Sequence, residues 1–472
     1  MALTSHPENE VIFIATPAMG MLSPAVEFAR RLVDHNPGRL SATFLLIPVP
    51  HWPTIHSYTQ SLLATSSHNL RFFLLPTTNP PSPDHFHSYV AHISSFIDQH
   101  KRNVKNAISN DSKRRVVVGL FVDLFCSSIT DVADELGIPS YLFFASPAGF
   151  LSFALDLPIL DWQLASESLT ELSIRGFANS VPRRVLHRVV MERGDGHSWY
   201  LQHARKYAQM KGIVVNTLQE LEAFALGSLS RGATPTTYSV GTILNLNGSA
   251  QWHPDRAQHE SVIRWLDDQP TSSVVFLCFG SLGSLRGPQV REIAIGLERA
   301  GFRFLWSLRE PPKANLGPPT EFSSFDEVLP IGFLERTARM GLVCGWVAQA
   351  TILAHQAIAG FVSHCGWNSI LESLWWGVPI ATWPIYAEQH MNAFEMVKEL
   401  GLSVEIRLDY WDGIDLVPAE EVERGINRLM EGDDMLRAKV KGMREKCRMA
   451  LMENGTSYQS MSALVEELIA NN

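Results

Sequence analysis

Short apolar runs alternate with segments of helical apolar spacing along the first half of the chain. The first run, VIFIA at 11–15, is followed by a polar turn and then by a helical pattern over about 22–35. Further strands are predicted at 42–48, 71–75, 115–122, 140–144 and 212–216, with helical patterns between most of them. Strands that alternate with helices indicate a parallel, doubly wound sheet.

The same alternation starts again after a turn-rich segment at 244–260. Strands of this second half are predicted at 274–279, 303–307, 341–344, 359–363, 379–382 and 402–406, and the last stretch, 433–470, is predicted to be helical. The pattern therefore indicates two α/β halves. Ligands of such sheets bind at the carboxyl ends of the parallel strands, so a cleft between the halves is the expected site.

Composition narrows the class of protein and of partner. The 472 residues are 46% hydrophobic and 18% charged, as in an ordinary globular protein. A net charge of −9 disfavours nucleic acid and anionic membrane surfaces, because both reward clustered Lys and Arg. No apolar run approaches a membrane span and the polar first residues are unlike a secretory signal, so we expect a cytoplasmic protein. Five scattered cysteines without a C-x-x-C pair argue against a disulfide framework or a zinc site.

The segment 346–389 carries the most specific chemistry. A short buried strand is predicted at 359–363, followed by the turn HCGWNS and by helical apolar spacing. A helix N-terminus carries partial positive charge and unpaired N–H groups, which suit a diphosphate. Gly366 allows a close backbone approach, and Asn368 and Ser369 add short hydrogen-bonding side chains. The alternative is a buried α/β segment whose aromatic residues only fill a core.

Over its whole length this segment resembles the signature of plant family-1 UDP-sugar glycosyltransferases. The resemblance implies that Trp346 stacks on uracil and that Gln349 and Glu372 hold the ribose hydroxyls. The other residues that it implies for the UDP-sugar are Ser281, His364, Asn368 and Ser369 at the diphosphate, Glu388 and Gln389 at the sugar, and Val347, Trp367 and Tyr386 beside them.

The resemblance also implies the GT-B architecture, which is two facing doubly wound, Rossmann-like domains with a cleft between them. An acceptor-binding domain is expected at 1–245, with a C-terminal helix at 453–472 packing back on it, and a UDP-sugar-binding domain at 246–452. Family members work without a metal or other cofactor. The expected ligands are therefore UDP-glucose as donor and a small-molecule acceptor, and a monomer is expected.

One position departs from the family pattern. Family members carry a Gly-His pair after the first strand, and this histidine takes the acceptor proton while an aspartate about a hundred residues later orients it. Here the pair is Gly20-Met21, and a thioether is no useful proton acceptor. The aspartate is present as Asp123, at the end of the predicted strand 115–122. A simple helix cap ahead of 127–136 is the other interpretation of Asp123.

Three accounts of the missing histidine stay open. Acidic phenols could deprotonate readily, or Asp123 could accept the proton directly, since a positioned base is worth only about 10²–10⁴-fold. Another imidazole could replace it, and the loop histidines of the acceptor half are His51, His85, His87, His187 and His197. In the third account the chain binds UDP-sugar but turns over poorly, as a natural pseudoenzyme or an altered variant. A nucleotide-dependent oxidoreductase is a weaker alternative, because neither half contains a G-x-G-x-x-G turn.

The end of the segment bears on the sugar and the acceptor. Gln389 stands where glucose-using relatives carry glutamine, so UDP-glucose is the expected donor and a beta-glucoside the expected product. The flanking residues are similar to a branch that glucosylates phenylpropanoids and flavonoids, while terpenoid acceptors stay open. The acceptor is expected to contact Phe125, Ser146 and Phe150.

Two charged clusters are predicted to be solvated surface. One is basic and the other has a spacing that does not fit a calcium loop: they are Arg183, Arg184 and Arg188, and Asp409, Asp412 and Asp415.

Overall fold

A computed structural model describes residues 9–49, 52–111, 115–232, 234–246, 255–313, 316–432 and 434–471. In chain order, the strands of the first half are β1 Asn9–Ile14, β2 Leu40–Leu46, β3 Leu70–Leu74, β4 Val116–Val122, β5 Ser140–Phe144, β6 Glu171–Leu172, β7 Val181–Pro182, β8 Gly212–Val215 and β9 Thr236–Ser239. All but β6 and β7 form one parallel sheet in the order β3-β2-β1-β4-β5-β8-β9. The two short strands pair antiparallel with each other.

The second half contains a parallel sheet of six strands. These are β10 Val274–Cys278, β11 Arg303–Ser307, β12 Gly341–Cys344, β13 Ile358–Ser363, β14 Ile380–Thr382 and β15 Ser403–Glu405, in the order β12-β11-β10-β13-β14-β15. Each of them overlaps a strand predicted from the apolar runs. The prediction of two parallel, doubly wound sheets is therefore confirmed.

Helices cover the sheets and connect their strands. In the first half they are α1 Met19–His35, α2 Pro53–Ala64, α3 Tyr89–Asp98, α4 Lys101–Asp111, α5 Thr130–Leu136, α6 Ala148–Leu164, α7 Arg188–Met191, α8 Asp195–Tyr207 and α9 Ala223–Ser230. The rest of the chain contributes α10 Arg256–Asp267, α11 Gly287–Ala300, α12 Phe333–Thr337, α13 Gln349–Leu353, α14 Trp367–Trp376, α15 Gln389–Phe394, α16 Ala419–Met430, α17 Asp434–Leu451 and α18 Thr456–Ile469.

Strand β9 was missed by the sequence analysis. Its residues, TTYS, include one aromatic side chain, that of Tyr238, which is also the only buried residue among them. The strand lies at the edge of its sheet, where one side stays open to solvent, so it needs no apolar run. Its pairing with β8 supplies the order that the composition does not indicate.

The last helix packs against the first sheet. Met461, Leu464, Val465 and Leu468 of α18 join the apolar core beneath that sheet. The Tyr141 hydroxyl on β5 donates a 2.9 Å hydrogen bond to Glu467 Oε1. The return of the C-terminal helix was expected, while the domain boundaries at 245 and 452 stay predictions.

The two charged clusters predicted as solvated surface contact each other across the two halves. The Arg184 guanidinium donates to Asp415 Oδ2 at 2.6 Å, and its carbon lies 5.3 Å from the centre of the Trp411 ring. Arg188 lies 5.0 Å over the same ring. The aspartate turn is therefore a contact between the halves, which spacing alone did not reveal.

Within the described ranges, no helix combines the length and the apolar character needed to cross a membrane.

Candidate active site

A cavity of about 520 Å³ lies where the carboxyl ends of the two sheets face each other. Its walls are the turns that follow β1, β4, β10, β12 and β13, together with the starts of α3 and α14. Of the residues predicted to bind UDP-sugar or to take part in catalysis, thirteen line it: Met21, Ser281, Trp346, Val347, Gln349, His364, Trp367, Asn368, Ser369, Glu372, Tyr386, Glu388 and Gln389. The described lining residues include no Lys or Arg, so an anion here would have to be held by neutral donors and by backbone N–H groups.

Strand register explains why distant turns meet at this cavity. Cys278 at the end of β10 lies opposite Ser363 at the end of β13, so Gly280, two residues after Cys278, and His364, directly after Ser363, become neighbours. A Cβ atom at Gly280 would lie 2.4 Å from His364 Nε2, and one at Gly366 would lie 2.6 Å from it. Gly280 also has a φ of +80°, a left-handed conformation that favours glycine. The imidazole therefore occupies a slot that exists because both neighbours lack side chains.

Burial keeps the His364 side chain neutral. The ring is 5% exposed, and loss of solvation lowers its pKa to about 4. It sits just before α14, whose first turn begins after Gly366. A phosphate at this helix start would therefore meet a neutral imidazole and free N–H groups rather than a fixed positive charge.

The first two residues of α14 reach into the other half. Trp367 is 2% exposed, and its indole Nε1 donates a 2.7 Å hydrogen bond to the carbonyl of Asn216. The Asn368 amide Nδ2 donates at 2.9 Å to the carbonyl of Gly20. The amide Oδ1 of Asn368 is buried without a hydrogen-bond partner among the described residues, so it offers an unused acceptor at the cavity wall.

The two residues predicted to hold the ribose contact each other directly. Gln349 at the start of α13 donates through Nε2 to Ser369 Oγ at 2.8 Å and to Glu372 Oε2 at 2.7 Å. Burial raises the pKa of Glu372 from 4.5 to about 7, and the Gln349 hydrogen bond lowers it only in part. Trp346, at the mouth of the same wall, is partly exposed, as a stacking platform needs to be.

The predicted sugar-binding residues are held by a strained turn. Ala387 has a φ of 56°, in the left-handed region. Gln389 Oε1 accepts from the backbone N–H groups of Ile385 and Tyr386, at 3.0 Å each. Glu388 Oε1 accepts a 3.1 Å hydrogen bond from Ser146 Oγ. The amide oxygen of Gln389 is therefore already used, which leaves its Nε2 group as the part that can contact a hydroxyl.

Asp123 is engaged in local structure. Ile14 on β1 pairs with Val122 on β4, so Thr16 and Asp123 meet just past the two strand ends. Its carboxylate accepts from Thr16 N at 2.6 Å, from Thr16 Oγ1 at 2.9 Å and from the N–H groups of Phe125 and Cys126 at 3.1 Å each. Burial raises its pKa, and these hydrogen bonds lower it. Asp123 is not among the lining residues, whereas Met21 is.

One of the four described candidate histidines lines the cavity. His187 is buried there, its Nε2 lies 3.0 Å from the Tyr200 hydroxyl, and burial lowers its pKa to about 3. His85 and His87 are exposed and lie outside the cavity wall. His197 is buried against Val190 and Asp161 instead. His51 lies outside the described residues.

The three predicted acceptor residues divide in the structure. Phe125 lines the cavity. Ser146 lies behind the wall, where it supports Glu388. Phe150 is a core residue whose ring centre lies 5.9 Å from those of Phe144 and His187. Its prediction as a wall residue is not supported by this packing.

Aromatic residues that the sequence analysis did not single out complete the acceptor side. They are Trp52 in the loop before α2, Tyr89 at the start of α3 and Tyr200 in α8. Each is isolated in the sequence, and an isolated aromatic residue looks the same whether it fills a core or lines a cavity.

No group of three or more His, Cys, Asp or Glu side chains in the described ranges is arranged to hold a metal ion. Independence from metals stays a prediction.

Comparisons with known proteins agree with this geometry. The family profile described as UDP-glucoronosyl and UDP-glucosyl transferase matches residues 86–422. The chain is 53% identical over 468 residues to UDP-glycosyltransferase 43 of Pueraria montana var. lobata, covering 97% of this chain and 99% of that protein. It is 47% identical over 482 residues to UDP-glycosyltransferase 71K1 of Malus domestica, covering 98% and 99%.

The fold comparison leads to the same family. The crystal structure of Medicago truncatula UGT71G1 complexed with UDP-glucose matches with a TM-score of 0.90 and 41% identity, over 98% of both chains. The expected GT-B architecture is thereby confirmed, and so is the expected enzyme class. The chain belongs to the plant family-1 UDP-glycosyltransferases, enzymes that transfer a glycosyl group from a UDP-sugar to an acceptor.

Proposed function

We propose that this enzyme transfers glucose from UDP-glucose, with inversion, to a hydroxyl of small lipophilic phenols. The observation that carries the proposal is a single cavity with two chemically different walls. One wall has the Gln349–Glu372 pair and the start of α14, and the other has Trp52, Tyr89 and Phe125. The polar nucleotide and the flat, apolar acceptor would therefore bind next to each other in this cavity.

The donor roles follow from the chemistry of each wall position. Trp346 would stack on the uracil ring, and Glu372 would accept from the two ribose hydroxyls. The N–H groups at the start of α14, with the second Nδ2 hydrogen of Asn368 and the hydroxyls of Ser281 and Ser369, would hold the diphosphate and stabilise the charge that develops on UDP as it leaves. The Nε2 group of Gln389 would donate to a glucose hydroxyl, because Oε1 already accepts from two backbone N–H groups. A related enzyme is complexed with UDP-glucose, which supports this sugar nucleotide as the donor.

The acceptor roles follow from the apolar wall. Phe125 would contact the acceptor ring directly, and Ser146 would act at one remove by orienting Glu388. Asp123 would hold the turn that carries Met21, because its hydrogen bonds join the ends of β1 and β4. Cytoplasmic location and a monomeric state stay predictions.

Transfer would rely on the acidity of the acceptor. Met21 supplies no base and Asp123 is hydrogen-bonded four times, so an acceptor that ionises readily has the advantage. The ionised oxygen would attack the anomeric carbon on the face opposite UDP, while the bond to the diphosphate oxygen breaks.

A second candidate function is supported by the same two residues. A protein with no base at position 21 and with its aspartate used in local structure could bind UDP-glucose and transfer sugar very slowly.

The test is product formation, measured by mass spectrometry with UDP-glucose and phenols of graded acidity. We expect the natural chain to make glucosides of the acidic phenols with one UDP released per product. Met21→His is expected to raise the rate most for the least acidic phenols, by up to about 10²–10⁴-fold. Met19→His is the matched control, because Met19 lines the same cavity two residues away.

Each result decides between the two functions. Glucosides from the natural chain, at rates that rise with acceptor acidity, support the transferase. UDP-glucose binding without product, restored by Met21→His but not by Met19→His, would establish the second candidate instead.

A further inference from the structure

Tyr89 is the first residue of α3 and lines the cavity. Ser88 caps this helix, accepting a 3.1 Å hydrogen bond from the Ala91 N–H through its side chain. Tyr89 lines the cavity, and its ring stacks on Trp52 with centres 6.2 Å apart and planes 19° apart. The cap and the stacking together fix the position of the phenol ring.

The hydroxyl of Tyr89 is buried and has no hydrogen-bond partner among the described residues. Other buried tyrosines of this region are satisfied: Tyr200 pairs with His187, and Tyr207 donates to the Leu124 carbonyl at 2.5 Å. A buried hydroxyl without a partner is destabilising, so such groups in folded proteins call for an explanation. A ligand atom in the cavity would supply one.

The surroundings keep this phenol neutral. Burial raises the pKa of Tyr89 above its usual value, and the neighbouring Tyr386 and Asp123 side chains raise it further. A neutral phenol can donate a hydrogen bond but does not act as a base near pH 7. Tyr89 shares the cavity lining with Phe125, from the turn after β4, and with Tyr386, from the predicted sugar-binding turn.

We propose that the Tyr89 hydroxyl donates a hydrogen bond to the acceptor oxygen and stabilises that oxygen in its ionised form. The inference rests on the proposed function, since it concerns the oxygen that attacks the sugar. The acceptor O–H gives its proton to solvent, and Tyr89 holds the resulting phenolate without exchanging a proton. The phenolate electron pair then forms the bond to the anomeric carbon, and UDP departs with the electrons of the broken bond.

The first test uses a nitrophenol, whose absorbance reports whether it is ionised. Its pKa is measured when bound to the protein in the presence of UDP, so that no sugar is transferred. We expect the pKa of the bound nitrophenol to be about one unit lower in the natural chain than in Tyr89→Phe, equivalent to about tenfold, because only the natural chain donates a hydrogen bond to the ionised oxygen. The affinity for UDP-glucose is expected to stay the same.

The second test measures kcat/KM for a phenol with a single hydroxyl. Tyr89→Phe is expected to reduce it about tenfold, because one hydrogen bond to a charged oxygen is lost. Tyr238→Phe is the matched control: its hydroxyl donates to Glu467 Oε2 outside the cavity. The control should lose thermal stability and keep its activity, whereas Tyr89→Phe should keep or gain stability because an unpartnered hydroxyl is removed.

The outcomes separate this inference from the proposed function. Glucoside formation with a bound pKa that is the same in the natural chain and in Tyr89→Phe would overturn the role of Tyr89 alone. A Tyr89-dependent pKa in a chain that makes no glucoside would support the hydrogen bond and refute the transferase. Loss of kcat/KM only for phenols with a second hydroxyl would also overturn it, because Tyr89 would then bind another part of the acceptor.

Discussion

The buried carboxyl group of Glu372 should make UDP-glucose binding depend on pH. Burial raises its pKa from 4.5 to about 7 in the ligand-free protein. The ionised carboxylate can accept through both oxygens from the two ribose hydroxyls, whereas the protonated group carries a hydrogen on one of them, so binding UDP-glucose favours loss of the proton wherever it is present. Lower pH should therefore weaken the donor complex.

The size of the effect follows from that pKa. At pH 6 about one molecule in ten has an ionised Glu372, so the apparent Kd should be about tenfold higher than at pH 8. His364 would act in the opposite direction. Its pKa of about 4 would rise beside a diphosphate, so its protonation would favour binding at low pH. The sign of the pH dependence thus identifies the group responsible.

Calorimetric titration of UDP-glucose between pH 5.5 and 8 is the appropriate assay, because this sugar diphosphate does not itself titrate there. Buffers with different ionisation enthalpies should reveal about one proton released per binding event at pH 6. Glu372→Gln should abolish both the proton release and the pH dependence, and Glu298→Gln, at an exposed pair with Arg336, should leave both in place. A pH dependence that persists in Glu372→Gln, or one of opposite sign, would refute the reasoning.

The same pKa and two packing features give three further expectations. Because the pKa of Glu372 is raised in the folded protein, its contribution to the free energy of unfolding is complete below about pH 4.5 and is lost as the pH rises through 7. The loss is at most about 3 kcal/mol. Denaturant unfolding at several pH values should show this loss in the natural chain and not in Glu372→Gln. Gly280→Ala should weaken UDP-glucose binding at least about tenfold, because its Cβ would lie 2.4 Å from His364 Nε2 at a strained φ. Gly227→Ala, where a Cβ meets open space, should bind UDP-glucose normally. Equal affinities of the two variants would show that the imidazole of His364 does not need the space beside Gly280. Trp367→Phe should cost about 1–3 kcal/mol in urea unfolding by leaving the Asn216 carbonyl unpaired, and a loss below about 0.5 kcal/mol would speak against this bond between the halves.

The donor wall could be predicted from the sequence because most of it is contiguous. His364, Trp367, Asn368 and Ser369 lie on one strand–turn–helix unit, where local pattern and local geometry coincide. The pairing of β10 with β13, which brings Ser281 to them, was not predicted from the sequence and is known from the structure alone. The strands of both sheets were predicted for the same reason, with the exception of the polar edge strand β9.

The acceptor wall could not be predicted in the same way. Trp52, Tyr89 and His187 come from separate loops and helix starts, and only the packing of the first half decides which of them meets the cavity. Phe125 and Phe150 both follow strands, yet one lines the cavity and the other packs behind it. Phe125 lies in the turn after β4 and Phe150 in the first turn of α6, and single residue types do not encode which of the two faces the cavity.

The hydrogen bonds that Trp367 and Asn368 make to the opposite half couple two events, nucleotide binding and the association of the halves. Both residues stand at the helix start where the diphosphate is expected, and both end on carbonyl groups of the opposite half. Coupling between two equilibria is reciprocal. The free energy by which the two hydrogen bonds strengthen nucleotide binding is therefore the same free energy by which bound nucleotide strengthens the association of the halves. An occupied donor site would thus hold the two halves more firmly together around the cleft into which the acceptor enters.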